Sequence, residues 1–229
     1  MITVIKPDYC WPETTLKMFP FLTEHLERCG RICYKSENKI TETSANRFVE
    51  TIRKSGHESV LEHASVTAIV TCSRACSHQL VRHRIAAYSQ ESQRYCNYGS
   101  GALLVICPPQ IGLPPGEYTS MGRMICQDRS VLILSTRQER WIHQIESAYQ
   151  EYRDELNVGI RPEDARYVLP NATKAELAVT YNLRQWRHVF QERALNKSAQ
   201  WEIREVFQGI LTDLAIRIPA VFNDLEKLI

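Results

Sequence analysis

Residues 64–84 read ASVTAIVTCSRACSHQLVRHR, and two periods succeed one another inside this one stretch. From Ala64 to Ser73 apolar and polar residues alternate and β-branched residues recur, the pattern of a strand with one buried face. From Arg74 the alternation stops. The segment then reads as a short helix that delivers Arg82, His83 and Arg84 near its C-terminal end. The same succession returns downstream: AELAVTYNL (175–183) alternates as a strand, and RQWRHVFQERAL (184–195) goes back to helix. Strands that pass straight into helices, joined by irregular connections rather than clean βαβ units, predict an α+β fold with one mixed or antiparallel central sheet flanked by helices.

The flanking segments fit that class. TETSANRFVETIRKSG (41–56) predicts a helix with Ser44 as N-cap, a stripe of Phe48, Val49 and Ile52, and Gly56 as its stop. ALLVICPP (102–109) is a buried strand halted by prolines, and GLPPGEYTSMG (112–122) reads as a loop. In RQERWIHQIESAYQEYRDELNVG (137–159), Trp141, Ile145, Ala148, Tyr152 and Leu156 share a helical face, and Gly159 caps the end. RPEDARYVLP (161–170) starts a helix at Pro162 and stops at Pro170, and SAQWEIREVFQGILTDLAIRI (198–218) is one long helix.

The chain has 229 residues, 44% hydrophobic and 24% charged, enough to bury a core of its own and long enough for one large domain or two small ones. A net charge of +2 argues against a nucleic-acid coat protein. Arginine outnumbers lysine 20 to 8, a bias toward planar donors that fit phosphate and carboxylate. No signal peptide and no membrane-length apolar run stand out, so the eight cysteines predict reduced, mostly buried thiols in a cytoplasmic protein. Cys72, Cys76, His78 and His83 lie close in sequence, but their spacing fits no common zinc module, and no metal is expected.

There is no G-x-x-x-x-G-K-[ST], and GSGALL at Gly99 lacks the third glycine of a dinucleotide loop. A bound nucleotide would have to be held by side chains. RHRIAAYSQESQRY (82–95) supplies them: arginine forks and the hydroxyls of Ser89 and Ser92 suit a phosphate monoester, although the same residues suit a solvated, salt-bridged loop. GHESVLEH (56–63) adds His57, Ser59 and His63. NLRQWRHVFQERA (182–194) adds Arg184 and His188, one turn apart, and Arg193, for which pairing with Glu192 or Glu202 is the plain alternative.

RHRIAAYSQES carries the R-H-R-x7-S signature through Arg82, His83, Arg84 and Ser92, and resembles the flavin-dependent thymidylate synthases. GHESVLEH, SQRY, ARYVLPNAT, NLRQWRHVFQERA and AQWEIR resemble further blocks of that family in the same order, across roughly residues 40–222. The resemblance implies that family's fold and a methyltransferase that makes dTMP from dUMP. Carbon would come from 5,10-methylenetetrahydrofolate and hydride from non-covalent FAD reduced by NADPH. It implies a homotetramer with sites shared between subunits and no nucleic-acid or membrane partner. By the same resemblance Gln79, Leu80, Val81, Arg82, Gln90, Glu91, Ser92, Gln93, Arg94, Arg166 and Arg193 hold dUMP. His57, Ser59, Arg82, His83, Arg84, Gln90, Asn182, Leu183, Arg184 and His188 hold FAD. Arg193 is the catalytic residue, stabilising charge as the pyrimidine ionises, with Arg187 next in line for that role. Two departures stand out: ALNKSAQ after Arg193 lacks a histidine that some members carry, and His188 stands where some have asparagine. A non-catalytic RNA- or nucleotide-binding module, stacking bases on Tyr88, Tyr95 and Tyr98, is the rival reading, and a flavoprotein without synthase activity is a second.

Overall fold

The computed structural model describes residues 1–120 and 134–229. In chain order it contains β1 (Ile2–Ile5), β2 (Asp8–Cys10), α1 (Glu13–Met18), α2 (Leu22–Arg31), α3 (Ser44–Lys54), β3 (Ser65–Ser73), α4 (Arg74–Leu80), β4 (Ala87–Gln90) and β5 (Leu103–Ile106). There follow β6 (Gly116–Tyr118), α5 (Thr136–Asn157), α6 (Pro162–Ala165), β7 (Lys174–Asn182), α7 (Leu183–Phe190), α8 (Trp201–Arg217) and α9 (Pro219–Glu226). The chain packs as two compact units, each assembled from three separate segments: 1–7, 71–78 and 90–176 in the first, 8–70, 79–89 and 177–229 in the second.

The first unit is built on a sheet of order β5-β1-β6. β1 runs parallel to β5, with Ile2 opposite Leu103 and Val4 opposite Val105, and antiparallel to β6, with Ile2 opposite Tyr118. The sheet is therefore mixed. Ile2, Val4, Leu103 and Val105 turn one face toward Ile142, Ile145, Tyr149 and Tyr152 of α5. The buried face of α5 is rotated slightly from the predicted one: Ile142 and Tyr149 are its centre, while Trp141 and Leu156 pack at its edge. Ser135 and Gln138 close a capping box at its start, and Gly159, at φ 93°, follows its end in a conformation that glycine tolerates best.

The second sheet has the order β2-β3-β7-β4, and most of its residues belong to the second unit. Along β3 and β7 buried and partly exposed residues alternate, as their sequences require. Trp186 of α7 centres the core: Tyr181 meets it edge-on at 4.7 Å, Phe190 stacks at 5.4 Å, and Phe207 of α8 lies 6.0 Å away. Arg187 is buried in the same helix and makes a bidentate pair with Asp224 of α9, both contacts at 2.8 Å. Arg53 of α3 binds the same carboxylate at 2.8 Å.

Several expectations change. There are two sheets among the described residues, not one, because Lys6 and Pro7 break the N-terminal strand and β1 and β2 join different sheets. Residues 116–118 pair with β1 instead of forming only loop, while Met121 and Gly122 lie outside the described residues. Thr43, not Ser44, is the N-cap of α3. Ser44 turns its hydroxyl to Glu27 at 2.7 Å. α4 ends at Leu80, so Arg82, His83 and Arg84 sit on the turn after the helix. Among the described cysteines only Cys72 and Cys76 are buried, and Cys10 and Cys33 are exposed. No helix of the described residues is long and apolar enough to cross a membrane.

Candidate active site

In the second unit a cavity of about 670 Å³ is lined by Glu58 and Glu62, by Arg82, His83, Arg84 and Ile85, and by side chains of α7. Each lining segment has a local cause. Leu80, fully buried, anchors the end of α4, and the chain then turns through residues 81–86 into β4. The Asn182 side chain accepts the Gln185 N–H at 2.8 Å and caps α7, which aligns Arg184, His188 and Gln191 on the cavity. Glu58 and Glu62 lie on a 3-10 helix, Glu58–His63, ahead of β3.

Arg82 and Arg84 are exposed and make no ion pair among the described residues. Arg184 is held by Glu62 at 2.5 Å, with Glu58 at 3.8 Å. Past α7 the helix widens into a π-turn, Gln191–Leu195, an element that often marks functional positions. From it the Arg193 Nε–H donates to His83 Nε2 at 2.9 Å. Burial, then the charges of Arg193 and His188, push the His83 imidazole down to about 4, against a small opposing effect of Glu192. His83 is therefore neutral at neutral pH. Since Nε2 accepts, the ring proton sits on Nδ1. The Arg193–His83 bond leaves the two terminal amino groups of the guanidinium outside it.

Six of the residues assigned to FAD line this cavity: Arg82, His83, Arg84, Asn182, Arg184 and His188. Leu183 is buried, and its N–H donates to the Ala64 carbonyl at 2.9 Å. His57 and Ser59 are exposed and do not line the cavity. From their segment Glu58 and Glu62 do. Arg187 reaches the cavity wall, but its guanidinium is spent on Asp224 and Glu58, which makes it a structural residue and removes it as a substitute for Arg193. Sequence reasoning missed Glu58, Glu62, Gln185 and Gln191. Glu58 and Glu62 stand four apart in GHESVLEH, and that spacing on a helical turn was the available signal.

Of the residues assigned to dUMP, Gln79, Leu80, Val81, Arg82 and Arg193 belong to the second unit, while Gln90–Arg94 and Arg166 belong to the first. Within the first unit, Glu163 gathers two of them. Its carboxylate accepts from Arg94 at 3.2 Å, and its main-chain carbonyl accepts the Arg166 Nε–H at 3.0 Å. Glu91 accepts from Lys174 at 2.8 Å and from the Tyr98 hydroxyl at 2.9 Å. Gln90 donates to Ser77 at 3.1 Å. Ser92 shapes a turn, its hydroxyl accepting the Arg94 N–H and its carbonyl the Tyr95 and Cys96 N–H groups.

Fold and cavity together define a class: an α+β protein whose cavity is lined by arginine and histidine side chains and by no glycine-rich loop. The family model of the thymidylate synthase complementing protein matches residues 20–220. The flavin-dependent thymidylate synthase of Pyrococcus furiosus is 39% identical over 189 residues, 82% of this chain and 70% of that one. That of Geobacter sulfurreducens is 37% identical over 85% of this chain and 78% of its own. That of Mycobacterium tuberculosis is 37% identical over 96% and 84%. The chain belongs to the flavin-dependent thymidylate synthase family.

Proposed function

We propose that this enzyme converts dUMP to dTMP, with 5,10-methylenetetrahydrofolate as carbon donor and FAD reduced by NADPH as hydride source. Thymidylate synthesis with a flavin follows from family membership, which also sets aside the non-catalytic binding module. The observation that carries the finer reading is the cavity where Arg82, His83, Arg84, Asn182, Arg184 and His188 converge. Its exposed guanidinium groups and neutral imidazole suit the phosphates and polar ring edge of a dinucleotide, and its volume falls within the roughly 300–1,000 Å³ of ligand pockets.

In this reading those six residues hold FAD, with His57, Ser59, Gln90 and main-chain atoms of Leu183 adding contacts. Bound there, reduced FAD supplies the hydride. Gln79–Arg82, Gln90–Arg94, Arg166 and Arg193 hold dUMP. A guanidinium is a hydrogen-bond donor and not a proton acceptor, so Arg193 is not the base. It lowers the cost of negative charge on the pyrimidine with its terminal amino groups, while His83 fixes its orientation. Ser92 binds substrate and is not a nucleophile. The two units act as one synthase domain over 1–229, in keeping with a family match that runs through both. The family's fold, a homotetramer with shared sites and a cytoplasmic setting belong to the same reading. Purified protein incubated with FAD, NADPH, 5,10-methylenetetrahydrofolate and dUMP is expected to release dTMP and to bleach and recover its flavin band. A yellow protein that leaves dUMP unchanged would instead be a flavoprotein without synthase activity.

A further inference from the structure

We propose that Tyr88 and Tyr181 form a hydroxyl latch that positions the Arg82–Arg84 turn against α7. Tyr88, on β4, brings its hydroxyl within 2.7 Å of the Leu80 carbonyl, 2.9 Å of the His83 carbonyl and 2.6 Å of the Tyr181 hydroxyl. A phenol carries one hydrogen. Both carbonyls can only accept, so the Tyr88 hydrogen is shared between them and Tyr181 must donate to the Tyr88 oxygen. One oxygen thus ties the last residue of α4 to the middle of the turn, and both to β7. Tyr181 is fully buried and packs edge-on against Trp186 in the first turns of α7, the helix that carries Arg184 and His188. The two walls of the cavity are joined through this pair. Burial raises both phenols above their ordinary range, so neither ionises at working pH. Neither tyrosine lines the cavity, and their role is to position His83 and its neighbours, not to touch ligand.

The inference rests on the FAD reading of the cavity, and two measurements keep them apart. The first uses the full chain without flavin. Trypsin cuts after Arg82 and Arg84, and mass spectrometry follows those two bonds separately from the other arginine sites. Tyr88→Phe leaves two carbonyls and the Tyr181 hydroxyl without their shared partner. It is expected to speed cleavage at Arg82 and Arg84 roughly tenfold, with little change elsewhere. Tyr181→Phe cuts only the link to β7, and roughly threefold is expected. The double variant should match Tyr88→Phe alone, because both changes break one device. A residue that merely stabilised the fold would accelerate every site alike. The second measurement is FAD titration at 25 °C, where Tyr88→Phe should weaken binding roughly tenfold. Wild-type protein that binds no FAD would sink the cofactor reading, and the cleavage rates would still judge the latch. Rates at Arg82 and Arg84 within about twofold of wild type, or a uniform acceleration, overturn it. If Tyr88→Phe does not fold, Tyr181→Phe decides by the same two readouts.

Discussion

At the scale of single residues, the Arg193–His83 bond ties the π-turn to the cavity-lining turn after α4. Arg193→Lys keeps the charge but loses the planar fork and the Nε–H that His83 accepts, so turnover should fall well below wild type. Arg193→Ala should cost on the order of 3 kcal/mol in the transition state, as for removal of one oxyanion donor, with FAD content preserved. Steady-state rates with dUMP, read beside flavin absorbance, check both. His83 gives a pH dependence whose sign follows from its depressed value of about 4. Between that value and the ordinary imidazole value near 6.5, the unfolded chain takes up a proton that the folded chain refuses. Stability from this residue is complete above about pH 6.5 and is lost as pH falls toward 4. Thermal midpoints from pH 7 to pH 4 should therefore drop less steeply in His83→Gln than in wild type. The grouping of Arg82, His83 and Arg84 was legible because the R-H-R spacing is a specific signal. The bond between Arg193 and His83 was not, because 110 residues separate them and no local pattern encodes a long-range pair.

Elements were legible where a period ran long enough. β3 and β7 follow their alternation, and α5 and α8 lie close to where their apolar positions put them. The three-residue β6 was too short to show a period, and its pairing comes entirely from β1. The π-turn was invisible because its composition is that of an ordinary helix, and only the widened hydrogen bonding distinguishes it. α9 lies beyond the last helix read from the sequence, 198–218, and starts with Pro219 at its first turn, where a proline is at home. From that helix Asp224 satisfies both the buried Arg187 of α7 and the Arg53 guanidinium of α3. Asp224→Asn would leave Arg187 charged and poorly paired. The expected loss is about 2 kcal/mol, below the roughly 3–5 kcal/mol of a fully buried pair because Asp224 keeps some exposure. Urea denaturation should show a lower midpoint with an unchanged slope.

For the whole molecule, assembly and biogenesis come into view. Arg84 and Arg193 both bear on the cavity of the second unit of a single chain. Mixing Arg84→Ala with Arg193→Ala subunits should therefore restore no activity, even in an oligomer that exchanges subunits, because every such cavity carries one lesion. Light scattering would first test whether the mixture forms an oligomer, and assays of the mixture read the outcome. Recovery of activity would mean that the two arginines serve different sites. The division into two units was not legible, since each is interleaved along the chain and no linker composition marks a boundary. That interleaving has a consequence for synthesis on the ribosome. The second unit begins with residues 8–70, yet lacks β7, α7 and α8 until the last segment emerges, and the first unit waits for residue 176. Neither can mature as an early N-terminal product. The nascent chain must carry β3 with only β2 beside it, its β7 edge open, and α3 packed on α2 but without α9, through most of translation, which makes their remaining apolar surfaces natural clients for a chaperone.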